Sequence, residues 1–141
     1  MIPPFPGAAR ATNFIDFAYQ VQVTLVKDDQ AGIIFRFDSL KATFYSFYIT
    51  SEGTYALNID NQQGFISQLA SGSSSAIKTG PNQSNLVAVL ARGSQIYLYV
   101  NGQYLASVRD STYKNGAIGV IAEDDGHPTE ALFSDAKVWK L

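Results

Sequence analysis

The chain has 141 residues, with ten basic and twelve acidic side chains and a formal net charge of −2. It lacks cysteine, which excludes disulfides and cysteine-based metal or thiol chemistry. The basic residues form no stripe that could follow a phosphate backbone, which argues against nucleic acid as a partner. No apolar run approaches the roughly 20 residues of a membrane-spanning helix.

The amino terminus differs in composition from the rest of the chain. Residues 1–13 contain three prolines and lack the basic start and apolar stretch of a signal peptide. We therefore expect a stiff linker or lead segment here, followed by one domain over residues 14–141.

Apolar and polar residues alternate along nearly all of the remaining chain, which predicts β-strands. The predicted strands or extended pieces are, in chain order, residues 14–27, 31–38, 42–50, 53–61, 65–69, 76–78, 85–92, 94–100, 104–108, 117–122 and 131–140. Residues 70–85 are rich in Ser and Gly and predict a flexible surface loop. Asn101-Gly102 favours the tight two-residue turn of a β-hairpin.

Antiparallel strands at this regular spacing, without helices, must bury alternate faces against one another. The sequence therefore predicts an all-β, two-sheet antiparallel jelly-roll sandwich. The first and last strands are both long and apolar, so we expect them to lie together.

Three segments resemble a known fold family. AGIIFRFD, FYSFYIT and EGTYAL are similar to the central strands of concanavalin A/laminin-G-like sandwiches, in particular the bacterial group related to family-16 glycosidases and the 3-keto-disaccharide hydrolase domain. The hairpin IYLYVNG and the ending ALFSDAKVWKL resemble later strands of that group. The resemblance implies a concanavalin-like domain over residues 14–141. Such domains also form the extracellular end of membrane-anchored bacterial kinases, which implies an extracytoplasmic location within a larger protein.

Catalytic patterns are missing from the sequence. Family-16 glycosidases carry a Glu-x-Asp-x-x-Glu pattern on one strand, and none of Glu52, Glu123 and Glu130 begins it. His127 is the only histidine, and it lies in an acidic loop where no nucleophilic serine motif accompanies it. We favour a non-catalytic module. The alternative that the resemblance implies is a glycoside hydrolase-like or 3-keto-disaccharide hydrolase-like enzyme.

Two acidic clusters are candidate calcium ligands, because calcium prefers oxygen ligands from loops. Asp28 and Asp29 end the first strand, and Glu123, Asp124 and Asp125 precede the last one. Pairing of these strands would bring the clusters near each other. The alternative is that both clusters are solvated turn residues.

The hairpin strand 94–100 raises the question of a ligand. Ile96, Leu98 and Val100 suit a core, so Tyr97 and Tyr99 point to the opposite face. The same alternation in other strands predicts a polar, aromatic outer face on one sheet. Its predicted ligand-binding residues are Arg36, Tyr48, Asn58, Arg92, Tyr97 and Tyr99.

This face predicts a binding or sensor module for a saccharide or protein, since rings stack on sugar faces and polar groups bond the hydroxyls. Cross-strand aromatic pairs also stabilise sheets by roughly 0.2–1 kcal/mol each without a ligand. A homodimer through this face or a purely structural spacer would be consistent with the same pattern.

Overall fold

The computed structural model describes residues 13–26, 30–123 and 131–141. Within these ranges the chain contains no helix, and hence none that could cross a membrane. The strands are β1 (Phe17–Leu25), β2 (Gln30–Asp38), β3 (Thr43–Thr50), β4 (Thr54–Asn61), β5 (Gly64–Ser73), β6 (Gln83–Arg92), β7 (Gln95–Val100), β8 (Gln103–Arg109), β9 (Ala117–Glu123) and β10 (Ala131–Lys140). The predicted order of strands is confirmed, except that residues 76–78 form a turn and β5 is longer than expected.

The described strands form two antiparallel five-stranded sheets. Sheet A has the order β10-β1-β6-β7-β8, and sheet B has the order β5-β4-β3-β2-β9. The predicted two-sheet jelly-roll sandwich is confirmed. The first and last strands pair as expected, with Phe17 opposite Lys140 and Leu25 opposite Ala131.

The core lies between the two sheets and follows the alternation of the sequence. Strand β1 buries every second residue, because successive side chains of a strand point to opposite faces. Tyr19 adds a polar link across the core, since its hydroxyl donates to the carbonyl oxygen of Gly119 at 2.9 Å. The largest fully buried apolar side chains are Tyr19, Tyr45, Phe17, Phe35, Phe47, Ile33, Ile49, Leu57, Ile96, Leu98 and Ile118.

A β-bulge interrupts strand β2 and reverses the direction of Arg36. Phe35 pairs with Tyr45 and Asp38 pairs with Thr43, so two residues of β2 stand opposite one residue of β3. Arg36 has a φ of 50°, in the left-handed region. Simple alternation predicted an outward Arg36, and that prediction was wrong, because the extra residue of the bulge changes the phase of the strand.

The chain crosses from sheet B to sheet A through residues 74–82. Ile77 of this crossing is buried, and the Asn101 amide donates to Ala76 O and to Asn85 Oδ1, both at 2.8 Å. Asn85 in turn donates to the carbonyl oxygen of Lys78 at 3.2 Å. The ends of the predicted loop instead belong to strands β5 and β6, and the side-chain amides of Asn85 and Asn101 bond the backbone between them.

Candidate functional site

The six predicted ligand-binding residues do not share one face. Tyr48 and Asn58 lie on strands β3 and β4, on the outward side of sheet B. Arg92, Tyr97 and Tyr99 belong to β6 and β7 and hence to the other sheet. The predicted single face was wrong, because alternation gives the side of a strand but not the sheet that the strand joins.

Arg36 belongs to neither outer face. Its side chain is 1% exposed, and its Nη2 donates to Ile15 O at 3.0 Å and to Gly93 O at 2.8 Å. Its Nη1 donates to Tyr113 O at 3.1 Å. Burial lowers the pKa of the guanidinium, although nearby oxygens oppose that shift. Arg36 therefore joins three segments at one end of the sandwich and does not present its charge to a ligand.

A second polar cluster lies beside this arginine. The Tyr45 hydroxyl donates to Asp110 Oδ1 at 2.5 Å and accepts from the Tyr113 amide at 3.1 Å. Burial, with the Asp110 bond, raises the pKa of Tyr45 to about 12. Burial acts to raise the pKa of Asp110, but bonds from Tyr45 and Thr112 outweigh it, and that pKa is lowered. Neither group titrates near neutral pH, which fits a structural cluster.

A buried polar cluster lies on the outer face of sheet B. Ser46 stands opposite Asn58, and its hydroxyl donates to Asp60 Oδ2 at 2.7 Å. Asn58 is 8% exposed, and its Oδ1 has no hydrogen-bond partner among the described residues. Tyr48 is half-buried beside them. Because most of these side chains are buried, the cluster offers a ligand little accessible surface.

The outer face of sheet A carries three exposed or half-buried tyrosine rings beside Leu90. We name this group the tyrosine face (Leu90, Tyr97, Tyr99 and Tyr104). The rings of Tyr99 and Tyr104 meet edge to face, with centroids 6.0 Å apart. Tyr104 is 57% exposed, and its hydroxyl donates to Ser107 Oγ at 2.9 Å. Sequence reasoning missed Tyr104, although the two-residue turn at Asn101-Gly102 pairs Val100 with Gln103 and therefore Tyr99 with Tyr104.

An open depression of about 270 Å³ lies next to these rings. Its lining residues are Gln95, Tyr97, Ser107, Val108 and Arg109. The Tyr97 hydroxyl donates to Gln95 Oε1, which orients both side chains. The exposed Arg92 and Arg109 both stand opposite Gln95, one on each neighbouring strand. The site thus combines flat rings with amide, hydroxyl and guanidinium groups.

The structure does not test the predicted calcium ligands. Asp28, Asp29, Asp124 and Asp125 lie outside the described residues, and the Glu123 side chain is not described either. In the described ranges, no three His, Cys, Asp or Glu side chains are grouped so that they could hold a metal ion. Calcium binding at the two loops stays a prediction.

No family model matches the chain, and none of the curated proteins matches it in sequence. Solved structures do match its fold. Carbohydrate-binding module CBM66 from Bacillus subtilis is 16% identical with a TM-score of 0.77, covering 89% of this chain and 76% of that one. Sheep galectin-11 is 9% identical with a TM-score of 0.62, covering 89% and 90% of the two chains.

Galectin LEC-6 from Caenorhabditis elegans is 16% identical to this chain with a TM-score of 0.59. That match covers 96% of this chain and 87% of the galectin. At such low identity these likenesses concern the fold alone, and the chain shares the jelly-roll, concanavalin-like β-sandwich of these proteins.

Proposed function

We propose that this domain is a non-catalytic carbohydrate-binding module whose ligand lies on the tyrosine face. The observation that carries the proposal is the gathering of Tyr97, Tyr99 and Tyr104 on one open sheet face, beside a polar depression. A sugar ring has an apolar C–H face surrounded by hydroxyl groups. Aromatic rings pack against the C–H face, and amide, hydroxyl and guanidinium groups form hydrogen bonds with the sugar hydroxyls.

The accessible surface distinguishes this face from that of sheet B. Tyr104 and Arg109 are exposed, and the depression between Gln95 and Ser107 is open. On sheet B, in contrast, Asn58 is buried with its neighbours. The similar structures include a carbohydrate-binding module and galectins, which supports a saccharide as the ligand class.

The chemistry of the depression favours binding over hydrolysis. A glycosidase needs two carboxyl groups that flank the scissile bond. The side chains that line the depression are Gln95, Tyr97, Ser107, Val108 and Arg109, and none is a carboxylic acid. These groups can hold and orient a sugar, but they supply no acid and nucleophile pair.

A glycan array with matched variants tests the proposal. The wild-type chain should bind one or more glycans, and Tyr97→Ala/Tyr99→Ala should weaken that binding at least tenfold, roughly the sum of two stacking contacts. Tyr48→Ala is the matched control, because it removes a half-buried outward tyrosine from the other sheet. Circular dichroism checks that each variant is folded.

Two results would contradict the proposal. Glycan binding that survives the double substitution would remove the ligand from the tyrosine face. Binding that is lost with Tyr48→Ala and retained in the double variant would move the ligand to sheet B.

A further inference from the structure

We infer that the ligand of the tyrosine face is a linear oligosaccharide that lies across the strands of sheet A, with Trp139 as a second stacking ring. The inference rests on the proposed function and specifies its ligand. It adds a residue on the edge strand β10, which is far from Tyr97 in sequence and pairs with β1.

The strand register places the two rings in one row. Tyr97 stands opposite Leu90, Leu90 opposite Ala18, and Ala18 opposite Trp139. Three strand spacings separate Tyr97 from Trp139, which amounts to about 14 Å. A single sugar ring cannot contact both side chains at this separation, whereas a short chain of linked sugars can.

Two apolar residues, Leu90 and Ala18, lie between the rings and contribute no polar side-chain atoms to the row. The next residue along β10, Val138, packs on the core, so Trp139 points outward, where it is 48% exposed. The row is therefore an apolar lane with a ring near each end, and it widens at the β7 end, where Tyr99 lies in the adjacent row.

Polar side chains border the lane on both sides of part of its length, and Ala88 and Tyr99 continue one of the bordering rows over β6 and β7. Gln20 and Lys137 are register partners in the adjacent row, next to Ala18 and Trp139. On the other side, Arg92 stands opposite Gln95. An apolar strip with hydrogen-bonding groups along its edges suits a saccharide chain, whose rings have apolar faces and hydroxyl-bearing edges.

Intrinsic fluorescence gives a direct test, because Trp139 is the only tryptophan of the chain. The probes are linear β-1,4-glucan, β-1,4-xylan and fructan oligosaccharides, each from disaccharide to hexasaccharide. In the series that binds, we expect the affinity to rise about two- to tenfold with length, as one further stacking contact is made. The emission of Trp139 should shift with the longer members and not with the disaccharide.

Substitutions separate this inference from the proposed function. Trp139→Ala should remove the gain in affinity with length, while Leu132→Ala, which truncates another exposed side chain of the same strand, should keep it. Equal affinity for short and long members, unchanged emission, or the same result for both variants would overturn the inference and leave the proposed function standing. If none of the three series binds at any length, this inference is wrong, while the glycan array decides the proposed function separately.

Discussion

Replacement of Arg36 by methionine should strongly destabilise the domain. The guanidinium donates to the carbonyl oxygens of Ile15, Gly93 and Tyr113, and these three residues lie on separate segments at one end of the sandwich. Methionine has a similar length but no donor, so it would leave all three acceptors without their partner.

The structure sets the size of the effect. A hydrogen bond to a charged group contributes about 1.5–3 kcal/mol, and three such bonds are lost together. The guanidinium is buried, so relief of its desolvation offsets part of the loss. We expect Arg36→Met to lower the free energy of unfolding by about 3–5 kcal/mol, a large share of the stability of a typical domain.

Urea denaturation followed by far-UV circular dichroism measures this change. Arg92→Met is the control, because Arg92 is exposed and its replacement should change the free energy of unfolding by less than about 0.5 kcal/mol. Arg36→Lys should also destabilise, since one ammonium group cannot reproduce the planar fork. A loss below about 1 kcal/mol for Arg36→Met would show that the three bonds do not hold this end of the sandwich together.

Three further changes test other parts of the fold. The pKa of Tyr45 is raised to about 12 from its ordinary value of 10.0, so its protonated hydroxyl stabilises the fold below about pH 10, and this stabilisation is lost as the pH rises towards 12. Tyr45→Phe should therefore flatten the fall in the free energy of unfolding at alkaline pH. An unchanged pH profile in urea denaturation would contradict this. Tyr19→Phe should cost about 0.5–1.5 kcal/mol in the same assay, because the bond to Gly119 is lost, and an unchanged stability would count against that bond. Asn101 has a φ of 51°, so Asn101→Ala should be less stable than Asn101→Gly by about 1 kcal/mol, which thermal unfolding can measure, and equal stabilities would argue against backbone strain there.

Much of the fold could be predicted because strand alternation is a local property. The two sides of β1 and the hairpin at Asn101-Gly102 follow from neighbouring residues alone, and the structure agrees with both. The pairing of β1 with β10 also followed from their length and apolar character. The bulge at Arg36 could not be predicted in this way, because it is accompanied by contacts with residues distant in sequence. The Arg36 backbone lies against Gly116, and its guanidinium bonds Gly93 between β6 and β7 of sheet A.

The candidate site was predicted only in part. Tyr97 and Tyr99 lie on an outward face as alternation indicated, but Tyr48 faces outward from the other sheet. The crossing between β5 and β6 takes the later hairpin to sheet A, and it leaves no periodic signal in the sequence, because it is held by bonds from the Asn101 amide to Ala76 and Asn85. Trp139 was missed for a similar reason, since only the register of β10 on β1 places it in the row of Tyr97.

Chemical-shift mapping by NMR shows which sheet face the ligand contacts. A saccharide that binds in the glycan array is titrated into the isotope-labelled domain while backbone amide signals are followed. We expect the largest shifts in β6, β7 and β8 around Leu90, Tyr97 and Tyr104, with little change on the outer face of sheet B. Shifts centred on Tyr48 and Asn58, with the tyrosine face unaffected, would contradict it.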